Sequence, residues 1–193
     1  MNSLGRPAYL RIVVVFLATS ILGAIVDMRQ VLAQNKPTEI TNSKREEDIY
    51  EAVIRSQMER WYQGYEKQER EAKEKWEKDS AKKMNFKVFL VTINGKDPSD
   101  EFLGRFKDLP RLVKQGSLGY FVKEPFPGWL HYKKDGRRAI NFNAEGITWK
   151  SDTAVEVGGG YYCGGLCGAV YLFRLQCING RWTVKETETR AIS

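Results

Sequence analysis

Gly158-Gly159-Gly160-Tyr161-Tyr162-Cys163-Gly164-Gly165-Leu166-Cys167-Gly168-Ala169-Val170-Tyr171-Leu172-Phe173-Arg174-Leu175-Gln176-Cys177 is the stretch that decides the fold, and it holds all three cysteines of the chain. Cys163 and Cys167 flank a glycine-rich turn between two runs of strand-forming residues. A three-residue loop of Gly164, Gly165 and Leu166 places them opposite each other, with glycine supplying the left-handed residue that such loops use. Facing residues of a non-hydrogen-bonded antiparallel pair lie about 4.5–5.5 Å apart, within disulfide reach. The reading is a β-hairpin stapled by a Cys163–Cys167 disulfide. In a regular strand Cys167, Ala169, Tyr171, Phe173, Leu175 and Cys177 share one face. Cys177 is then a small buried hydrophobe or an intermolecular partner. The glycine triplet 158–160 marks a bulge or sharp bend in a long strand.

Outward from this hairpin the chain reads as β. Asn179-Gly180 is a two-residue hairpin turn leading into a last strand over 181–189. Upstream, strands are expected over 154–162, 147–150 and 137–143, with Glu145-Gly146 as a turn. Asp135-Gly136 is a type I′ turn signal back to a strand over 130–134. Residues 119–122 form a short strand, and Pro125 and Pro127 bracket Phe126 in a rigid loop. Residues 86–93 are a buried strand ended by Asn94-Gly95. Ser99 N-caps a short helix whose first turn carries Asp100 and Glu101, with Leu103 and Phe106 facing inward.

Further upstream the period changes. Tyr50, Ile54, Met58, Trp61 and Tyr65, widened by Val53, form one apolar helix face. Ser43 and Glu46 match a capping box at its start. Residues 66–83 hold six acids and seven bases with Trp76 as the one large apolar residue. This charged run reads as a solvated helical insertion or, alternatively, a partner-binding arm. The sum is an α+β fold: an N-terminal helix packed on a bent antiparallel β-meander, in a single domain over 46–193.

Residues 1–33 have the form of a signal peptide. Arg6 and Arg11 form a basic start, residues 12–26 an apolar core, and Val31-Leu32-Ala33 a cleavage site before Gln34. An uncleaved anchor is the alternative, although residues 12–26 fall short of the ~20 that a span needs. Residues 34–45 form a flexible leader. Loss of three arginines and one aspartate lowers the formal charge from +7 to +5. That modest balance argues for solubility more than for a partner. The expected location is periplasmic or secreted, with no stable membrane span after cleavage.

Candidate chemistry is sparse. Lys133, Lys134, Arg137 and Arg138 surround the Asp135-Gly136 turn beside Phe126, Trp129 and Tyr132. Phe126, Trp129, Tyr132, Arg137 and Arg138 are the candidate ligand-binding set, for a phosphate-bearing or glycan ligand, though turn charges are more often solvent-facing alone. Cys163, Cys167, Cys177 and the sole histidine, His131, have the count of a zinc site but not its paired spacing. The Cys-x-x-x-Cys spacing followed by a strand lacks the helix N-terminus of a redox thiol. Glu145, Asp152 and Glu156 lie near strand ends and would serve acid–base work only if two met in one cavity. No catalytic set, cofactor or metal is expected, and nucleic acid is a poor partner for an exported chain without a binding motif.

The motifs Lys96-Asp97-Pro98-Ser99-Asp100-Glu101-Phe102-Leu103, Tyr161-Tyr162-Cys163-Gly164-Gly165-Leu166-Cys167-Gly168 and Asn179-Gly180-Arg181-Trp182-Thr183-Val184 resemble those of a group of uncharacterised exported bacterial proteins. The resemblance covers about residues 47–65 and 86–187, with the charged run as an insertion. It implies no activity and no catalytic residue. More distantly, the order of elements is similar to the cystatin-like and nuclear-transport-factor-like α+β folds, which house both enzymes and binding modules. The expected function is therefore a non-enzymatic binding or structural module of the cell envelope, with an unidentified envelope component or protein as partner. The alternatives are a small carboxylate hydrolase or isomerase working in a sheet cavity, and a thiol or zinc protein.

Overall fold

The computed structural model describes residues 40–72, 74, 86–123 and 128–193. The expected signal peptide, most of the expected leader, most of the charged run beyond residue 72, and Phe126 lie outside the described residues. The chain divides between Asn42 and Ser43, and the second unit, Ser43–Ser193, carries the architecture below.

Helix α1 spans Ile40–Glu71. Ser43 sits inside its first turn rather than capping it, and residues 40–45 of the expected leader are helical. A cap contributes only about 1 kcal/mol, too little to fix where so long a helix begins. The described part of the apolar stripe is as read: Val53 and Ile54 are fully buried, Tyr50 and Met58 nearly so, Trp61 packs against the core, and Ile49 joins them. The side chain of Tyr65 lies outside the described residues. Beyond it the helix runs on into the charged segment with Lys67, Arg70 and Glu71 exposed.

Among the described residues eight strands make one sheet: β1 (Val88–Ile93), β2 (Leu112–Gln115), β3 (Gly119–Val122), β4 (Trp129–Tyr132), β5 (Ala139–Ser151), β6 (Ala154–Gly164), β7 (Cys167–Ile178) and β8 (Arg181–Ile192). Strands β5 to β8 form the expected antiparallel meander. Strand β1 departs from it, pairing in parallel with both β2 and β5. The short helix α2 (Asp100–Gly104) lies in the connection from β1 to β2. Side-chain alternation does not distinguish parallel from antiparallel pairing, and β2, half-exposed and only four residues long, has little pattern to read. The unbroken apolar run of β1 has its reason here. Phe89 and Val91 join the core with the α1 residues, while Val88 and Leu90 join a second cluster with Leu130, Tyr132 and Ala139. A strand buried on both faces needs apolar residues at every position.

Several turns resolve differently from their local signals. Asn179-Gly180 is a two-residue turn with both φ angles positive (52° and 76°), closing Ile178 against Arg181. At Asp135-Gly136 only Gly136 is left-handed, and Tyr132 N–H bonds Arg137 O across a four-residue loop instead of a type I′ turn. Glu145-Gly146 is not a turn. It is a bulge within the continuous strand β5, with Gly146 at φ 63°. The freed Gly146 N–H donates to Asn94 Oδ1 (3.0 Å), whose amide nitrogen donates to the Tyr50 hydroxyl (2.9 Å). Helix, β1 turn and bulge are thereby tied together, and burial holds the Tyr50 phenol above its ordinary pKa. The glycine triplet stays in regular register between β5 and β7. The β5 bulge begins opposite Gly158, and side chains at Gly159 and Gly160 would run into the backbone of Asn143 and Ala169.

Ser99 caps α2 as expected, accepting from Phe102 N–H at 3.1 Å. Phe102 and Phe106 are buried, and Leu103 packs against the core. Arg105 near the end of this unit reaches Glu47 (2.7 Å), Asp48 (2.6 Å) and Glu51 (3.1 Å) of α1, while Arg55 holds Asp108 (2.9 Å). Such half-exposed pairs contribute little each, but together they fix how α2 docks on α1.

Candidate functional site

The Cys163–Cys167 disulfide is present, with Cα atoms 5.2 Å apart. Its loop is tighter than read. Gly164 pairs with Cys167, leaving Gly165 and Leu166 as the turn, and Cys163 is the extra residue of a bulge between Tyr162 and Gly164. Neither Gly164 nor Gly165 has a positive φ. Cys163 is fully buried, whereas Leu166 projects at 62% exposure. Cys177 is a free, half-buried thiol packed against the core. It lies ten residues along β7 from Cys167, a span of roughly 33 Å. The four-ligand zinc set is therefore not assembled, and among the described residues no group of three metal-ligating side chains occurs.

The candidate ligand set around the β4–β5 loop also separates. In β4 the residues alternate between faces. Trp129 faces the helix side, and the Arg138 guanidinium stacks 4.5 Å from its ring centre. Tyr132 points the other way and is buried in the second cluster. Arg137 is bound to Asp135 at 2.7 Å, and that arginine holds the Asp135 carboxyl below its ordinary range. Phe126 lies outside the described residues. His131 shares the Trp129 face, near Tyr120, with Nδ1 2.7 Å from Gly136 O. Of the four described members, Trp129 alone lines the cavity described next.

That cavity lies between the second half of α1 and the stapled end of the sheet, with a volume of about 440 Å³. The helix contributes Gln57, Arg60, Trp61 and Gly64, at i, i+3, i+4 and i+7 and so on one face. Tyr161 of β6 and Cys167, Tyr171 and Phe173 of β7 come from the helix-facing positions of their strands. Trp129 and Phe86 close one side, and Leu166 from the hairpin tip stands at the edge. The aromatic rings form a connected series. Trp61 lies edge-on to Phe86 (5.6 Å) and Tyr161 (4.9 Å), Phe86 continues to Trp129 (6.0 Å), and Tyr161 continues through Tyr171 (6.3 Å) to Phe173 (5.8 Å). Burial, reinforced by the neighbouring Tyr171 phenol, raises the Tyr161 pKa above its ordinary 10.0.

Gln57, Arg60 and Ser193 interrupt this wall with polar groups. Gln57 is only 4% exposed, and its Nε2 donates to Asn143 O at 2.8 Å. Gly159 makes that approach possible, since a Cβ there would lie 3.2 Å from Gln57 Nε2. Arg60 is exposed, with its guanidinium carbon 5.6 Å from the centre of the Tyr171 ring.

Among the described residues no carboxylate side chain lines the cavity. Glu145 and Asp152 are exposed, and Glu156 is held by Lys150 (2.8 Å) and Arg174 (3.1 Å), which lower its pKa. Two buried acids with raised pKa values, which the carboxylate mechanism needs, do not occur among the described residues. By sequence pattern Trp61 belongs to the apolar face of α1, Tyr171 and Phe173 share a strand face with Cys177, and Gln57 and Arg60 have no role. The available signals were a glutamine at a stripe position and Gly64 where a packed helix would carry a side chain.

Fold and site together define an α+β module with one covering helix and an aromatic cleft beneath it. Comparison with known proteins finds no matching family model, no matching curated protein and no matching solved structure.

Proposed function

We propose that this protein is an exported, non-enzymatic module that holds a small, largely apolar ligand in the cleft between α1 and the stapled end of the sheet. The observation that carries the reading is the cavity itself, about 440 Å³ of space walled by Trp61, Phe86, Trp129, Tyr161, Tyr171 and Phe173. Protein interiors are packed to crystal-like density, so a cavity of this size beside a core is a departure. Its volume and its lining, apolar with a few polar groups, are those of small-molecule sites. Export is supported by the basic start, apolar core and Val31-Leu32-Ala33 of residues 1–33. It is also supported by the disulfide, which belongs to oxidising compartments.

The test uses the mature chain and the probe 1-anilinonaphthalene-8-sulfonate. Saturable binding of one probe per chain is expected, weakened at least about tenfold by Trp61→Ala, because a large aromatic contact contributes well over 1.4 kcal/mol. A melting curve of the variant establishes that it folds. Absence of saturable binding, or equal binding by folded Trp61→Ala, overturns the reading. Amino-terminal sequencing of the protein recovered outside the cytoplasm should begin at Gln34.

A further inference from the structure

We infer that the second half of α1, residues 59–71, is the lid of the cleft: it unwinds back to Met58 to admit a ligand and winds up again over it, an inference that rests on the cleft-binding reading above.

The two halves of the helix are held differently. The first is anchored: Ile49, Tyr50, Val53, Ile54, Gln57 and Met58 are buried. Arg105 holds Glu47, Asp48 and Glu51, Arg55 holds Asp108, Tyr50 is tied to Asn94, and Gln57 donates to Asn143 O. After Met58 no described side chain of the helix is buried. Empty space adjoins this half on two sides. The cleft of about 440 Å³ is lined by Arg60, Trp61 and Gly64. A second cavity, of about 260 Å³, is lined by Met58, Glu59 and Tyr62 together with Phe89, Leu109 and Arg111. The ring contacts of this half are Trp61 on Phe86 and Tyr161 (5.6 and 4.9 Å) and Tyr62 with the Arg111 guanidinium (5.7 Å). Gly64 weakens the stretch further, because glycine is a poor helix former. An element with few buried contacts opens locally at a fraction of the free energy of global unfolding. Trp61 stands directly on Tyr161, so the helix wall of the cleft touches the sheet wall, and a ligand passes between them only when Trp61 lifts away.

Hydrogen exchange of the mature chain, followed by mass spectrometry, should show the amides of residues 60–71 exchanging together, at least about a hundredfold faster than those of residues 50–57. Stopped-flow binding of 1-anilinonaphthalene-8-sulfonate tests the gating. Gln63 is exposed, lines neither cavity, and donates to Glu59 Oε1 at 3.0 Å. Gln63→Gly removes that bond and weakens the helix, making opening about three- to sixfold more favourable. Association and dissociation rates should both rise by that factor, with Kd unchanged. Gln63→Ala loses the same bond but keeps the helix, so its rates should stay within about twofold of the parent's. Unchanged rates in folded Gln63→Gly overturn the inference, as does a rise in dissociation alone, which would mean that the bound state itself is weakened. Uniform exchange across residues 50–71 of the parent overturns it even if the variant fails to fold. In any of these cases, saturable probe binding that depends on Trp61 leaves the cleft reading standing. If the probe does not bind saturably, that reading falls and the lid falls with it.

Discussion

Gly159 and Gly64 both lie at the helix–sheet cleft, and the same substitution to alanine should move stability in opposite directions. A Cβ at Gly159 would stand 2.6 Å from Asn143 O and 3.2 Å from both Gln57 Nε2 and Phe173 Cε2. The first contact is with backbone of the neighbouring strand, so something must shift. Overpacking of this kind costs about 1–3 kcal/mol. Displacing Gln57 from Asn143 O adds about 1 kcal/mol for the lost hydrogen bond. The expected loss is about 2–4 kcal/mol, or a fall in Tm of roughly 6–12 °C for a chain of this length. At Gly64 nothing lies within 4 Å of the added carbon. The position is helical and exposed, so only the backbone propensity changes. Alanine there should stabilise by about 0.8–1 kcal/mol, raising Tm by roughly 3 °C. Thermal and urea denaturation of the two single variants and the parent give both signs. A Gly159→Ala protein that melts within about 2 °C of the parent would show that the helix does not press on β6 as described. Loss of stability in Gly64→Ala would show that the space beside the helix is not open.

Blocking free thiols without reduction, then mapping peptides by mass spectrometry, should find Cys163 joined to Cys167 and Cys177 free. Reduction should lower stability by only about 2 kcal/mol, since the closed ring is small; complete unfolding on reduction would contradict that. Asp108 is held below its ordinary 3.8 by the hydrogen bond from Arg55, and Glu156 below 4.5 by Lys150 and Arg174. Depressed carboxyl pKa values contribute stability that is present above those ordinary values and lost as pH falls through the folded ones. Stability should therefore decline below about pH 4.5, and more shallowly in Arg55→Gln; an identical acid limb in that variant would refute the Arg55–Asp108 contribution. Tyr161, raised by burial, contributes the opposite way: stability complete below pH 10.0 and lost as pH rises through its folded value. Ultraviolet titration of Tyr161→Phe against the parent should remove a phenol that ionises late, and an unchanged curve would place that ring in water.

Much of the architecture is legible in local pattern because its causes are local. The shared face of Tyr171, Phe173, Leu175 and Cys177, the Asn-Gly turn at 179–180, the Ser99 cap and the described part of the α1 stripe all depend on neighbours within a few residues, and occur as read. The proximity of Cys163 and Cys167 has the same origin, since a tight turn between two strands brings them together whatever the rest of the chain does. Tertiary structure decided the remainder. Parallel pairing of β1 with β2 and β5 depends on distant strands that leave no mark on its own alternation. Glu145-Gly146 has turn chemistry, but the positive φ of Gly146 serves a bulge, because β6 and the Asn94 side chain hold β5 on course. Tyr132 and Trp129 stand three residues apart in a strand that faces two cores, so the expected binding set was divided between them. The cleft itself is a mismatch between the helix surface and the sheet surface. Trp61 belongs to an apolar helix stripe and Tyr171 to a shared strand face in one dimension, and only the distance at which α1 crosses β6 and β7 turns them, with Tyr161, into the wall of a cavity.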